Sequence, residues 1–198
     1  MAALANQILS EMAPLPEGQP VSAKEFLHLG SRAAIDQALS RLMRAGSLLR
    51  VARGLYVLSK SSCFGASAPS PAKLVGALSM RTGAMIFPHG AAAANSLGLT
   101  SQVPSGAVYV TSGANQRLTL GRQIVELKHA PAWQFALGGR PAGEAIRALA
   151  WLGPQHAGEA ISALKRRLPR AERKALAEVR AKLPTWLATE VSALVENV

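Results

Sequence analysis

The stretch over residues 31–58 constrains the fold most, because the pattern of a helix is followed directly by the pattern of a β-hairpin. Ser31 is a good helix N-cap, and Gly46 is the residue type that ends helices. Between them, four apolar residues fall on one helix face: Ile35, Ala38, Leu39 and Leu42. Two short β-prone runs then flank Ala52, Arg53 and Gly54, a connection typical of a hairpin. The stretch therefore predicts an amphipathic helix followed directly by a β-hairpin.

Two shorter helices are predicted before this one. Apolar residues recur every four positions at the start of the chain: Leu4, Ile8 and Met12. Ser22 followed by Glu25 has the pattern of a capping box, which predicts a second helix that runs to about Leu29. Gly30 then makes the turn into the third helix. Three helices and a hairpin are the order of a winged helix-turn-helix, which we predict over residues 1–60.

The rest of the chain predicts a second domain, so the expected fold class is α+β. Residues 61–70 are small, polar and interrupted by Gly and Pro, which favours a linker. Residues 71–198 form the expected second domain. Its strands over residues 107–111, 117–120 and 124–129 should pair as a small antiparallel sheet, because their connections are too short for crossovers. From residue 142 onward, about four helices are expected, with breaks at Gly153-Pro154, Pro169 and Pro184.

Composition and charge narrow the classes of function. Of the 198 residues, 49% are hydrophobic and only 5% aromatic, so the core should be aliphatic. The formal net charge of +11 attracts polyanions. Cys63 is the only cysteine, which excludes an intrachain disulfide and a multi-cysteine zinc site. The sequence has no signal-peptide pattern and no apolar run long enough to span a membrane, so we expect a cytoplasmic protein without membrane contact.

The polar face of the third helix carries residue types that suit duplex DNA. The predicted DNA-binding residues are Ser31, Arg32, Ala33, Asp36, Gln37, Ser40, Arg41 and Arg44 on the helix, with Arg50 and Arg53 on the hairpin. Arg can bind guanine, Gln can bind adenine, and Ala can contact a thymine methyl group in the major groove. Asp36 lies four residues after Arg32, which favours an ion pair that holds the guanidinium in place. The later arginines should contact phosphates, with Arg53 at the hairpin tip.

A second basic cluster surrounds Pro169. It comprises Lys165, Arg166, Arg167, Arg170, Arg173 and Lys174. One interpretation is a solvated helix face. The alternatives are a second phosphate-contacting patch or a surface for an acidic partner.

Catalysis is not expected. The four histidines are scattered, without the spacing of a metal site, and the common phosphate-binding and nucleophile motifs are absent. Residues 61–140 contain one acidic residue, Glu126, so paired-carboxylate chemistry lacks its groups there. We therefore expect no metal and no cofactor.

Two blocks of the sequence resemble the AbiEi-like antitoxins, the transcription-regulator half of type IV toxin–antitoxin pairs. The first block is LGSRAAIDQALSRLMRAG, which begins at Leu29, followed by RVARGLY from Arg50. The second begins with PHGAAAANSLGL at Pro88 and continues through QVP, YVTSG and residues 124–129. The resemblance implies a winged helix-turn-helix with an α+β antitoxin domain. It further implies a repressor of its own operon that neutralises a toxin of nucleotidyltransferase fold, whether by direct contact or not.

Two other hypotheses stay open. The chain can be a stand-alone winged-helix regulator whose residues 70–198 sense a ligand or form a dimer. It can also be an interaction protein whose third helix binds another protein and not DNA.

Overall fold

The computed structural model describes residues 2–62 and 65–195, which divide into two units. The first unit comprises Met1–Ala84 and Gln116–Glu126, and the second Met85–Asn115 and Leu127–Val198. Among the described residues, the α-helices are α1 (Ala2–Met12), α2 (Arg32–Arg44), α3 (Pro71–Thr82), α4 (Gly90–Ser96), α5 (Pro141–Leu152), α6 (Pro154–Arg167), α7 (Arg170–Val179) and α8 (Thr185–Val195). The strands are β1 (Val21–Ser22), β2 (Leu48–Ala52), β3 (Leu55–Leu58), β4 (Lys60–Ser62), β5 (Gly65–Ser67), β6 (Ile86–Pro88), β7 (Ala107–Thr111), β8 (Gln116–Leu120) and β9 (Gln123–His129). The fold is therefore α+β.

The core of the first unit lies between α1, α2 and a three-stranded sheet. Apolar residues from each element are buried together, among them Ile8, Met12, Phe26, Ile35, Leu39, Leu42 and Leu48. Between α1 and α2, the capping box is present, because the Glu25 carboxylate accepts from the backbone N–H of Ser22 at 2.8 Å. The predicted second helix is a single 3-10 turn over Ala23–Phe26. It is shorter than expected because the capping signal marks where a helix begins and not how far it extends.

The sheet of this core has the order β1-β3-β2, with antiparallel pairs. The predicted hairpin joins β2 to β3 through Arg53 and Gly54, and Gly54 has a φ of +72°, as that turn requires. β1 was not predicted, because two residues are too short to show an alternating pattern.

The predicted linker over residues 61–70 is wrong where the structure describes it. β4 and β5 pair antiparallel, and both belong to the first unit together with α3. The pairing of short strands needs only backbone hydrogen bonds, so it leaves no apolar periodicity in the sequence. Glu17 joins these elements, because its carboxylate forms ion pairs with Lys60 and Lys73. Those two partners lower the pKa of Glu17 to about 2.

The division of the second half also differs from the prediction. The three predicted strands are present as β7, β8 and β9, but β8 and the first four residues of β9 belong to the first unit. There, β8 pairs with β9 and packs beside β2. The first unit therefore extends to Ala84 and not to about residue 70. The chain then enters the second unit, returns to the first for residues 116–126 and re-enters the second at Leu127.

The second unit combines a small sheet with a helical core. β6 pairs antiparallel with β7, from Ile86 opposite Thr111 to Pro88 opposite Tyr109. The four predicted C-terminal helices are α5 to α8, with breaks at the expected Gly and Pro residues. Their apolar faces share one core, which includes Ile146, Leu149, Ile161, Leu164, Leu176, Leu187 and Val191.

Arg147 on α5 is the largest fully buried side chain in this unit. Its Nη1 donates to the carbonyl oxygens of Gln134 at 3.2 Å and Gly138 at 3.0 Å. The guanidinium carbon lies 4.8 Å from the centroid of the Phe87 ring, a cation–π geometry. Burial lowers the pKa of Arg147. One cation thus ties α5 to the segment before it and to β6.

The close approach of α4 to α5 yields the first prediction. A Cβ at Gly90 would overlap the carbonyl oxygen of Arg147 and the Cβ of Trp151, so Gly90→Ala forces the helices apart. We expect the free energy of unfolding to fall by about 1–3 kcal/mol. Urea unfolding followed by tryptophan fluorescence checks this, because Trp133, Trp151 and Trp186 all lie in the second unit.

Gly158→Ala in α6 is the matched control, because a Cβ there meets no atom within 4 Å. This helical substitution should stabilise the protein by about 0.5–1 kcal/mol. A Gly90→Ala protein as stable as Gly158→Ala would contradict the close contact between α4 and α5.

Candidate nucleic-acid interface

α2 separates an apolar face from a polar face. Its N-terminus is capped by Ser31, whose Oγ accepts from the backbone N–H of Ala34 at 3.3 Å. The four residues predicted for the apolar face are all buried. Because a helix repeats every 3.6 residues, their burial turns the intervening polar residues outward. Arg32, Ala33, Asp36, Gln37, Arg41 and Arg44 are exposed, and Ser40 is half-buried at the edge of the face.

The predicted ion pair within this face is present. Nε of Arg32 donates to a carboxylate oxygen of Asp36 at 2.9 Å, and both side chains are about half exposed. The pair orients the guanidinium along the helix and leaves its other N–H groups accessible. Gln37 lies beside the pair on the exposed face, where its amide oxygen can accept and its NH2 group can donate to a ligand.

The hairpin after α2 carries two exposed arginines. Nε of Arg50 donates to the carbonyl oxygen of Ala52 at 3.3 Å, across a bulge in the pairing of β2 with β3. Arg53 lies at the turn and is exposed. Among the described residues, no carboxylate pairs with Arg44, Arg50 or Arg53. The arrangement therefore places unneutralised cations after a helix whose exposed face carries hydrogen-bonding groups.

The second predicted basic patch lies in the second unit and does not form one uniform face. Nη1 of Arg167 donates to the carbonyl oxygen of Leu97 at 2.6 Å, and Nε of Arg173 is buried. Lys165 and Arg166 are exposed at the end of α6, as are Arg170 and Lys174 on α7. Arg167 and Arg173 thus make contacts within their own unit, and the other four side chains of the cluster are exposed.

A family assignment follows from comparison with known proteins. The model of DUF6088, described as a family of unknown function, matches residues 7–176. The chain belongs to DUF6088. Among solved structures, this DUF6088 protein is similar to the RV2827C protein from Mycobacterium tuberculosis, with 19% identity and a TM-score of 0.58. The match covers 98% of this chain and 76% of that chain, and at this identity the likeness concerns the fold alone. No match was found among curated proteins.

Sequence reasoning missed one part of the charged surface of this DUF6088 protein. Arg117 on β8 and Arg122 at the β8–β9 turn are exposed and belong to the first unit. With them, this unit carries eleven Lys and Arg against five Asp and Glu. No local signal could have found this placement, because β8 lies more than sixty residues after β2 in the chain.

The four histidines have contacts that serve the fold. Nε2 of His28 lies 2.8 Å from a carboxylate oxygen of Glu11. His89 caps α4, and Nδ1 of its ring accepts from the backbone N–H of Ala91 at 3.4 Å. Burial and the charge of Lys128 lower the pKa of His89, which favours the neutral ring that can accept. His129 and His156 lie near the carbonyl oxygens of Gly113 and Leu152.

Metal-ligand clusters and membrane-crossing helices are both absent from residues 2–62 and 65–195. In this part of the chain, no three His, Cys, Asp or Glu side chains cluster as metal ligands. None of its helices has the length and apolar character that a membrane crossing requires.

The second unit contains a cavity of about 640 Å³. Its lining mixes an aromatic ring with polar groups, since Trp151, His156 and Glu159 face Thr100 and Gln102. Trp151 is 39% exposed. The cavity lies wholly within one unit, so it is independent of the face formed by α2.

The N-cap of α2 yields the second prediction. Ser31→Ala removes the side-chain acceptor of the Ala34 N–H, so the first turn of α2 should open more easily, by about 1 kcal/mol. Hydrogen exchange of the backbone amides over residues 32–36 measures this opening directly.

Ser31→Asp is the matched control, because its carboxylate caps a helix as well as a hydroxyl does. Exchange in Ser31→Ala as slow as in the wild-type chain would show that the cap does not hold this turn.

Proposed function

We propose that this protein is a DNA-binding transcriptional repressor that acts in the cytoplasm and represses its own promoter. Residues 1–60 act as a winged helix-turn-helix, with α2 as the recognition helix and the β2–β3 hairpin as the wing. The observation that carries the proposal is the exposed face of α2, which is polar and cationic and is followed directly by a hairpin with an arginine at its tip.

The recognition step follows from the residue types on that face. A major groove about 12 Å wide admits one helix, and the N-terminal half of the helix contacts base edges. Arg32 then binds guanine, and the hydrogen bond of 2.9 Å from its Nε to the Asp36 carboxylate holds it in position. Gln37 binds adenine, and the methyl group of Ala33 contacts thymine. These contacts determine which sequence is bound.

Affinity comes from the phosphates. Arg44, Arg50 and Arg53 have no carboxylate partner among the described residues, so their charge is available to the DNA backbone. Each phosphate that the protein neutralises releases counterions, which makes the affinity depend on salt. The excess of basic residues in the first unit adds a long-range attraction.

We further propose that the protein is the antitoxin of a type IV toxin–antitoxin pair and neutralises a toxin of nucleotidyltransferase fold. The resemblance of residues 88–129 to the AbiEi-like antitoxins supports this role. The resemblance implies that the second domain neutralises the toxin, and α4, which begins at Gly90 within that block, belongs to the second unit. The exposed cations of α6 and α7 offer a surface for an acidic partner or for phosphates.

A second candidate is a stand-alone regulator whose second unit senses a ligand. The cavity lined by Trp151, His156 and Glu159 favours it, because a ring and a few polar groups are typical of small-molecule sites. A neighbouring gene for a nucleotidyltransferase-fold protein would favour the antitoxin, and its absence would favour the ligand sensor.

The third prediction concerns DNA binding. The full chain should bind a fluorescein-labelled duplex from its own promoter, with a log affinity that falls by about 0.9 per contacted phosphate for each log unit of salt. Gln37→Ala should cost about 1–3 kcal/mol on this duplex and little on a random duplex, because only base reading is lost. Fluorescence anisotropy between about 50 and 200 mM salt measures both.

Gln7→Ala is the matched control, an exposed glutamine on α1 of the same unit. Equal weakening of both duplexes by Gln37→Ala would exclude base reading. No binding of the wild-type chain at low salt would favour the interaction protein and contradict the proposed function.

The fourth prediction separates neutralisation from repression. A chain with Gln37→Ala and Arg53→Ala should lose repression of its promoter but still restore growth when the toxin is co-expressed. Substitutions are preferred to a fragment that starts near residue 70, because residues 71–84 and 116–126 belong to the first unit. Growth curves and a promoter–reporter fusion measure the two functions in the same strain. Loss of rescue together with repression would mean that neutralisation operates through DNA binding.

A further inference from the structure

The β8–β9 hairpin lies in the same unit as the wing, although it is distant in the chain. β8 packs against β2, the first strand of the wing, and pairs with β9. Leu118 and Leu120 are buried, whereas Gln116, Arg117 and Thr119 are exposed. Arg122 follows Gly121 at the turn, where Gly121 has a φ of +64°. One side of β8 is therefore anchored in the unit, and the other presents only polar side chains.

The two arginines of this hairpin have no ion-pair partner among the described residues, and the one carboxylate on the hairpin, that of Glu126 on β9, is half-buried. The acidic residues near the start of the first unit have partners elsewhere: Glu11 with His28, Glu17 with Lys60 and Lys73, Glu25 with Arg81, and Asp36 with Arg32. Within the described part of the chain, neither Arg117 nor Arg122 has a carboxylate partner. A polar strand with two such cations is suited to bind anions.

The position of β8 relates these cations to the wing. Arg117 is the second residue of β8, and Arg122 lies in the turn that joins β8 to β9. Because β8 packs against β2, the hairpin adds these two cations next to the first strand of the wing.

We propose that the β8–β9 hairpin is a second phosphate-binding element, which lies beside the wing and lengthens the contact with duplex DNA. This inference rests on the proposed DNA binding. Arg, Thr and Gln are the side chains that contact phosphates and sugars, and these are the exposed residue types of β8. A protein partner is the weaker match, because protein interfaces depend on clusters of aromatic or apolar anchors. β8 exposes none, and Ile124 is the one large apolar side chain that β9 exposes among the described residues.

The test uses the full chain and three double variants, of which two remove the same charge. Arg117→Gln with Arg122→Gln should lower the slope of log affinity against log salt by about 1.8, since two phosphate contacts are lost. Affinity should fall on the order of tenfold near 0.15 M salt, equally on promoter and random duplexes. Arg117→Lys with Arg122→Lys keeps the charge and should retain most of the binding.

Arg180→Gln with Lys182→Gln removes the same charge from the second unit and serves as the control. Its slope should change much less than that of the hairpin variant. Hydroxyl-radical footprints should be shorter for the hairpin variant than for this control.

The outcomes are distinct. A wild-type chain that binds no duplex overturns both the proposed function and this inference. If the wild-type chain binds duplex DNA but the hairpin variant has the same salt slope as the Arg180 and Lys182 control, the inference is overturned. The proposed function is then unaffected. A fall in slope only for the hairpin variant, with an unchanged circular dichroism melting curve, supports it.

Discussion

The burial of one face of α2 is the constraint on which the rest of the first unit depends. Ile35, Ala38, Leu39 and Leu42 are held against α1 and the sheet, and each carries apolar area worth on the order of 1 kcal/mol or more when it leaves water. This burial sets the rotation of the helix about its axis. Once the rotation is set, the outward direction of Arg32, Asp36 and Gln37 needs no further explanation.

The position of the hairpin follows from the same constraint. The helix ends at Arg44, and β2 begins at Leu48, so the chain has only three residues in which to reverse. Leu48 is buried in the core that covers α2, which fixes the start of the strand. The arginine at the tip is then placed by the length of β2 and by the turn at Gly54. The exposed helix face and the hairpin are thereby placed by one shared core.

The second unit is organised by different physics. Small residues allow α4 to approach α5 so closely that Gly90 has no room for a side chain. The buried Arg147 supplies polar contacts in the same region, through two carbonyl oxygens and the Phe87 ring. Truncating a buried cation leaves its carbonyl partners unsatisfied, which is costly in a medium of low polarity. The close α4–α5 contact and the buried Arg147 thus hold this unit together, whereas the first unit is held together by the buried face of an amphipathic helix.

By itself the sequence determined the features that depend on neighbouring residues: the Ser31 cap, the two faces of α2, the Arg32–Asp36 pair and the glycine turn at Gly54. Each rests on contacts within about four residues or across one turn. Only the tertiary structure decided that β4 pairs with β5 and that Arg117 and Arg122 lie in the same unit as the β2–β3 hairpin. The physical reason is that strands far apart in the chain meet through backbone pairing and shared burial, and neither leaves a local signal of the partner.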